Sequence, residues 1–219
     1  MGLFGLFKKT KRLVRAFELS VDTSSYSNVS SEEKFKRSLE LYKNGADFEL
    51  CLSLLIESAN EGFADAQYQL ASFLIKGEEV KQDYPNAALY LKKAIAQNHP
   101  VAMYDLAFLY QNGYGCVRDY NKAFELYKKS ADLGFVDAIH QVGAYYWEGL
   151  GVDKDEIKAI EWFKKACDKD FVPSLVILGN IYYNQEKDAE SYNLLLRAKQ
   201  LGSEEASELL EDEVYNQFR

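Results

Sequence analysis

The sequence repeats itself every 36 residues, and this period constrains the fold more than any other feature. Small residues recur at positions 66, 102, 138 and 174, and glycine recurs at 77, 113 and 149. Aspartate recurs at 83, 119 and 155, and a lysine pair recurs at 92–93, 128–129 and 164–165. Agreement at so many positions indicates tandem copies of one supersecondary unit, each packed on its neighbours.

Each 36-residue unit is predicted to contain two helices joined by a glycine-containing loop. Residues 101–112 carry apolar side chains at the i, i+3, i+4, i+7 spacing of one helix face. Gly113 then ends this helix, and Asp119 is placed to cap the next one, over about 120–132. Two columns hold only small residues, which would let the two helices approach closely: Ala71, Ala107, Gly143 and Gly179 in one, and Ala87, Ala123 and Ala159 in the other.

These patterns predict an all-α fold, an α/α superhelical solenoid of about five helix–turn–helix repeats with a C-terminal capping helix and no β-sheet. The repeat domain spans residues 31–219, and the serine-rich stretch 20–30 precedes it as a linker. Its units are placed at about 31–62, 63–98, 99–134, 135–170 and 171–202, with the cap at 203–217.

The charge distribution limits the class of partner. The formal net charge is −8, and because residues 1–20 carry +4, the remainder carries −12. Nucleic-acid recognition depends on a basic surface, so no nucleic-acid partner is expected. A protein partner with a basic or mixed surface fits the acidic body better.

Candidate catalytic and metal-binding residues are few and scattered. Cys51, Cys116 and Cys167 are odd in number and widely spaced, which argues against a zinc site and a disulfide framework. We predict three small buried cysteines in a reducing compartment, hence a cytoplasmic protein with no metal and no cofactor. His140 with Cys116 or Cys167 could pair as base and nucleophile, but no catalytic motif surrounds them. The sequence therefore predicts no enzyme, and a hydrolase is the most distant alternative.

Residues 1–19 form a basic amphipathic arm. On a helix, the apolar and basic side chains would occupy opposite sides, as an interfacial helix on anionic lipid requires. The candidates for membrane contact are Leu3, Leu6, Phe7, Lys8, Lys9, Lys11, Arg12 and Arg15. Packing of the arm on the first repeat or on a partner is an equal alternative. No apolar run approaches the roughly 18 residues of a membrane span, so the predicted contact is peripheral, at the inner face of a membrane.

The segment 102–131, AMYDLAFLYQNGYGCVRDYNKAFELYKKSA, resembles the Sel1-like repeat, a relative of the tetratricopeptide repeat. The shared pattern, A-x-x-x-L-[AG]-x-x-Y-x-x-G-x-G-[VC]-x-x-D-x-x-K-A, covers about 63–170 and extends more loosely over 31–62 and 171–217. The first full unit departs from it with Glu79 for the second glycine and Asn86 for the lysine. The resemblance implies an α/α superhelix used for protein–protein contacts, in signalling complexes and bacterial host-interaction factors.

The resemblance also implies which residues would contact a partner, because the first helix of each unit lines the concave face. The positions in four successive units are Tyr68, Ser72, Ile75 and Lys76; Tyr104, Phe108, Gln111 and Asn112; His140, Ala144, Trp147 and Glu148; and Val176, Asn180, Tyr183 and Asn184. Aromatic residues supply most of the binding energy at interfaces. Tyr68 and Tyr104 could equally belong to the packing of the repeat, whereas the other aromatic residues are expected to be accessible.

The sequence thus favours a non-catalytic interaction scaffold or adaptor that binds a protein in its concave groove, with membrane association through the N-terminal helix left open. The alternative is a bacterial immunity or virulence-related binder that neutralises or recruits a specific protein.

Overall fold

The structure, a computed structural model, describes residues 21–45, 47–211 and 213–218. These residues form α-helices and 3₁₀ turns but no β-strand, and the helices follow one another in packed pairs. The predicted all-α solenoid class is confirmed. Residues 1–19, the predicted amphipathic arm, lie outside the described residues.

The helix boundaries follow the predicted period closely. Predicted helices 101–112 and 120–132 correspond to the observed helices Pro100–Asn112 and Tyr120–Asp132. Within the described ranges the α-helices are α1 (Ser31–Lys43), α2 (Phe48–Asn60), α3 (Ala64–Lys76), α4 (Tyr84–Ile95), α5 (Pro100–Asn112), α6 (Tyr120–Asp132), α7 (Val136–Glu148), α8 (Glu156–Cys167), α9 (Val172–Asn184), α10 (Asp188–Gln200) and α11 (Glu204–Leu209).

The chain divides into two compact units, the first ending at Arg118 and the second beginning at Asp119. In the first unit α1 packs on α2 and α3 on α4, while α2 also contacts α3 and α4 contacts α5. In the second unit α7 packs on α8 and α9 on α10, α6 contacts α7, α8 contacts α9, and α11 contacts α10. Each helix therefore packs mainly on its neighbours in sequence, as in a repeat protein.

The repeated aspartates and glycines fix where the helices begin and end. Asp83, Asp119 and Asp155 each accept a hydrogen bond from the backbone N–H three residues later, at 3.1, 3.0 and 3.0 Å respectively. These bonds satisfy backbone donors that the first turn of a helix leaves unpaired. The glycines that end α3, α5 and α7 have φ of 66°, 71° and 74°, the left-handed conformation that glycine adopts without a steric penalty.

The small-residue columns lie where paired helices touch. A Cβ atom at Gly143 of α7 would lie 2.8 Å from the ring of Phe163 on α8. A Cβ atom at Gly179 of α9 would lie 2.9 Å from the side chain of Leu195 on α10. Both distances are shorter than van der Waals contact, so a larger residue at either position would force the neighbouring side chain to shift.

The N-terminal end of the first unit contains a buried lysine that the sequence pattern did not indicate. Lys34 of α1 is buried and forms ion pairs with Glu57, at 3.1 Å, and with Glu61 of α2. The hydroxyl of Thr23 donates a hydrogen bond to the same Glu57. A buried ammonium needs such partners because burial otherwise penalises its charge, so this cluster ties α1 and residue 23 to α2.

The C-terminal segment differs from the single capping helix expected over 203–217. The six-residue helix α11 is followed by a 3₁₀ turn, Glu213–Phe218. This bend buries Leu210 and Tyr215, and the Tyr215 hydroxyl lies 2.7 Å from the Ser191 hydroxyl of α10. A straight helix would spread its apolar side chains along one stripe, whereas the bend returns Tyr215 to α10.

The cysteines are not all buried, contrary to expectation. Cys51 and Cys167 are buried on helices, but Cys116 is only partly buried. Cys116 belongs to the loop after α5, where its thiol lies 3.6 Å from the Leu109 carbonyl oxygen. A loop between two helices has one side open to solvent, which explains the exposure.

We expect Gly143→Ala to lower the free energy of unfolding by about 1–2 kcal/mol, because the added methyl group overpacks against Phe163. Helix propensity alone would make the alanine variant more stable by about 1 kcal/mol. A lower free energy of unfolding therefore indicates that the steric contact with Phe163 outweighs helix propensity. Urea unfolding measures the change. In the Phe163→Leu background the same substitution should cost less, and an equal cost in both backgrounds would contradict this account.

Candidate functional site

The described residues contain neither a membrane-spanning helix nor a cluster of metal-binding side chains. Among the described residues, no helix combines the length and the apolar character that crossing a bilayer requires. Within the same residues, no group of three or more histidine, cysteine, aspartate or glutamate side chains is placed to hold a metal ion.

In the first unit, the predicted positions on α3 and α5 range from partly buried to exposed. Tyr68 is partly buried and stacks on His99 at 4.8 Å between ring centroids. Burial and the nearby negative charge of Asp105 raise the pKa of Tyr68. Lys76 and Phe108 are exposed, whereas the remaining predicted positions are partly buried: Ser72, Ile75, Tyr104, Gln111 and Asn112.

Phe108 belongs to an aromatic patch that consists of the partly buried Tyr84 and the exposed Phe108 and Tyr114. The ring of Tyr114 stacks on Tyr84 at 5.0 Å and meets Phe108 edge-on at 5.9 Å. Phe108 and Tyr114 are each 40% exposed. Nearby, the Asn112 side chain donates a 2.8 Å hydrogen bond to the Phe108 carbonyl oxygen. Tyr84 and Tyr114 were not among the predicted positions, because neither lies on the first helix of a unit.

Asp105 of α5 was also missed, although its surroundings are unusual. Its side chain is partly buried, and burial raises its pKa from 3.8 to about 6, while the positive charge of Lys76 opposes this shift. The corresponding positions in the other full units are Gln69, Gln141 and Ile177, so this carboxylate occurs once in the column. The signal in the sequence was an aspartate at a position where the other full units have glutamine or isoleucine.

We expect Asp105→Asn to raise the free energy of unfolding at about pH 7.5 by roughly 1–3 kcal/mol, because burial penalises the ionised carboxylate. The folded-state pKa lies above the unfolded-state value, so the folded protein binds the proton more tightly. The cost of the charge is therefore complete above pH 6 and absent below pH 3.8. Urea unfolding of both proteins below pH 3.8 and at about pH 7.5 tests this prediction. An equal gain in the free energy of unfolding at the two pH values would contradict it.

In the second unit, two predicted positions point inward. His140 of α7 lies between the rings of Phe163 and Phe171, at 5.5 and 5.4 Å, and its Nδ1 is 2.8 Å from the Ser174 hydroxyl. Burial lowers the pKa of His140. Val176 of α9 is buried. Val176 therefore offers no accessible surface, and the partly buried ring of His140 is held in the packing between α7, α8 and the start of α9.

The other predicted positions of the second unit are more accessible. Tyr183 is 39% exposed, and its ring centroid lies 5.9 Å from that of Tyr215. Trp147 is partly buried against the core that α8, α9 and α10 share, and the Lys154 ammonium lies 5.9 Å above its ring. The remaining positions include Ala144 and Asn180, which are partly buried, and Glu148 and Asn184, which are exposed.

A cleft of about 290 Å³ lies between α8, α9 and α10. Lys164, Tyr182 and Arg197 are among its lining residues, with Cys167 beneath them. Burial raises the pKa of Cys167 to about 12. A catalytic cysteine needs the opposite shift, because the thiolate is the nucleophile.

The helix pairs and their small-residue crossings define a class, the α/α repeat proteins. The profile of the Sel1 repeat matches residues 64–99, 100–135 and 136–171. These residues are three Sel1 repeats, and the predicted resemblance is confirmed. No curated protein matches the sequence significantly.

Solved structures show the same fold at low sequence identity. A Sel1 repeat protein from Oxalobacter formigenes is 21% identical, with a TM-score of 0.74 over 85% of this chain and 81% of that one. A putative Sel1 repeat protein from Klebsiella pneumoniae subsp. pneumoniae is 19% identical, with a TM-score of 0.54 over 86% and 95%. The immunity protein PA5088 from Pseudomonas aeruginosa is 19% identical, with a TM-score of 0.54 over 90% and 73%.

Proposed function

We propose that this protein is a non-catalytic scaffold that binds a protein partner through the exposed sides of α3 and α5 in the first unit and of α7 and α9 in the second. Sel1 repeats generally serve as protein-binding scaffolds, and residues 64–171 consist of them. The proposed setting is the cytoplasm, with residues 31–219 acting as one repeat domain.

The observation that carries this proposal is the exposure of Phe108. An aromatic ring that remains 40% exposed on a helix costs solvation free energy unless a partner covers it. Tyr114 extends the exposed aromatic surface beside it. Exposed aromatic residues contribute much of the energy of protein–protein association, so this surface is suited to binding.

The proposed contact residues follow from the exposure of each predicted position. The proposal omits His140, which packs between two phenylalanine rings. It retains Tyr68, Ser72, Lys76, Tyr104, Phe108, Gln111, Asn112, Trp147, Glu148, Asn180, Tyr183 and Asn184. It adds Tyr84 and Tyr114. The charge of −12 beyond residue 20 favours a partner with a basic or mixed surface.

We expect Phe108→Ala to weaken partner binding by about 2 kcal/mol while changing the free energy of unfolding much less. Leu89→Ala is the matched control, because Leu89 is 49% exposed on α4, the second helix of its pair, in the same compact unit. A photo-cross-linking amino acid at each position, used in the native cell, identifies the partner. Equal cross-linking from both positions, or none from position 108, would contradict the proposed surface.

An immunity-type binder is a narrower version of this function. The immunity protein PA5088 shares the fold, and an acidic body suits the occlusion of a basic protein. If this is correct, the cross-linked partner is a toxic protein whose activity falls when this chain binds it. A partner that keeps its activity in the complex would favour an adaptor instead.

We also propose that residues 1–19 attach the protein to anionic membranes. We expect the full chain to co-sediment with anionic vesicles, and expect reversal of charge at Lys8, Lys9, Lys11 and Arg12 to abolish this, because each basic residue contributes about 1 kcal/mol near an anionic surface. Neutral vesicles are the control. Unchanged sedimentation would favour packing of the arm on the repeats or on a partner.

A further inference from the structure

We propose that the cleft between α8, α9 and α10 binds the indole side chain of a tryptophan on a polypeptide ligand, beside Lys164 and Arg197. The cleft lies within the second compact unit. This inference goes beyond the proposed function and does not depend on it, because none of the residues that line the cleft belongs to the proposed contact surface.

The first observation is how the second unit fills the equivalent space between α6 and α8. The partly buried ring of Trp162 on α8 lies there. The ammonium groups of Lys128 on α6 and Lys165 on α8 lie over this ring, at 5.2 and 3.9 Å from its centroid. Among the aromatic side chains, indole attracts a cation over its face most strongly. A tryptophan under two positive charges therefore occupies the space between α6 and α8.

The first unit fills the corresponding space, between α2 and α4, in a similar way. The ring centroid of Tyr90 on α4 lies 4.7 Å from the Lys93 ammonium, and the Tyr90 hydroxyl donates a 2.9 Å hydrogen bond to the Asn60 side chain of α2. Tyr90 takes the same position in its repeat as Trp162, and Lys93 takes the same position as Lys165. An aromatic ring beneath a lysine thus fills this space in both units.

The space between α8 and α10 keeps the cations but lacks the ring. The glycine crossings align the two helices, with residue 195 of α10 in the place of residue 163 of α8. In this register Leu194 replaces Trp162, and Arg197 replaces Lys165. On α8, Lys164 replaces the lysine that α6 supplies to the preceding space. A leucine side chain is shorter than an indole, and a cleft of about 290 Å³ remains beside it.

The lining of the cleft is complementary to an indole ring. Tyr182 of α9 and Leu194 of α10 supply apolar surface. The Lys164 ammonium is exposed and lies 5.9 Å from the centroid of the Tyr182 ring. The Arg197 guanidinium is held in place by Asp170, to which its Nε donates a 2.6 Å hydrogen bond. An aromatic ring bound here would bury apolar area and place its negative face near two cations.

The rim of the cleft favours a side chain of a polypeptide over a free small molecule. Asp168 of α8 and Glu190 and Asn193 of α10 line the cleft and are exposed. Their carboxylate and amide groups can form hydrogen bonds with the backbone on either side of a bound side chain. The cleft opens to solvent at these residues, whereas small-molecule sites bury most of the ligand surface.

The test is a titration of the full chain with N-acetyl-tryptophan amide, followed by ¹H–¹⁵N NMR. N-acetyl-leucine amide is the ligand control, because its side chain is apolar but has no aromatic face. We expect the tryptophan probe to shift the amide signals of Lys164, Tyr182 and Leu194. We expect the leucine probe to bind about fivefold more weakly, because it loses the cation–π contacts. Tighter binding of free tryptophan than of the blocked probe would overturn the assignment to a polypeptide side chain.

A charge-removing variant tests the role of the cations. Lys164→Met keeps the aliphatic stem, removes the charge and should weaken binding of the tryptophan probe about threefold. Lys199→Met is the matched control and should leave binding unchanged, because Lys199 is exposed on α10 and does not line the cleft. Equal affinity of the wild type and Lys164→Met for the probe, or no shifts around the cleft, would overturn the inference.

A second variant fills the cleft from within the chain. Leu194→Trp places an indole on α10 at the position that Trp162 has on α8. We expect the folded variant to lose binding of the tryptophan probe at least tenfold, because its own ring occupies the cleft. Wild-type affinity of a folded Leu194→Trp protein for the probe would overturn the inference. If this variant does not fold, the comparison of Lys164→Met with Lys199→Met decides.

Discussion

The close approach of the two helices in each pair is the constraint on which the rest of the structure depends. Where α7 crosses α8, glycine at 143 leaves only enough space for the ring of Phe163. Where α9 crosses α10, Gly179 does the same for Leu195. Because the crossings are similar, the helices present equivalent sides in successive repeats, and a side chain can vary on the outer side without changing the pair. The packing of the helix pair therefore does not fix which residue stands at an outer position such as Phe108.

Much of the fold could be predicted from the sequence because the period, the caps and the small columns all act locally. Asp119 and Gly113 have one structural role each, and a pattern in sequence identifies it. The C-terminal end was harder to predict, because the bend before Tyr215 depends on a tertiary contact with Ser191 rather than on a local preference. Cys116 shows the same limit, since the exposure of a loop residue depends on what packs beside the loop.

The candidate site could be predicted only in part, because periodicity locates a helix face but not the depth of each side chain. Phe108 is exposed as expected. His140, at a comparable position, is held between Phe163 and Phe171, which come from α8 and from the residue before α9. Asp105 lies one position from the expected face, and the burial that raises the pKa of its carboxyl depends on tertiary packing, which no sequence pattern reports. Repeat packing is regular, but the residues that fill it differ from copy to copy.

Tyr215 has a consequence for the surface of α10. A stack of similar units has no intrinsic end, because each helix pair leaves a surface on which another pair can be added. Here the 3₁₀ turn packs on α10 and buries Tyr215, whose hydroxyl meets the Ser191 hydroxyl. The part of α10 around Ser191 is therefore covered by the chain itself and is withdrawn from contact with any other molecule.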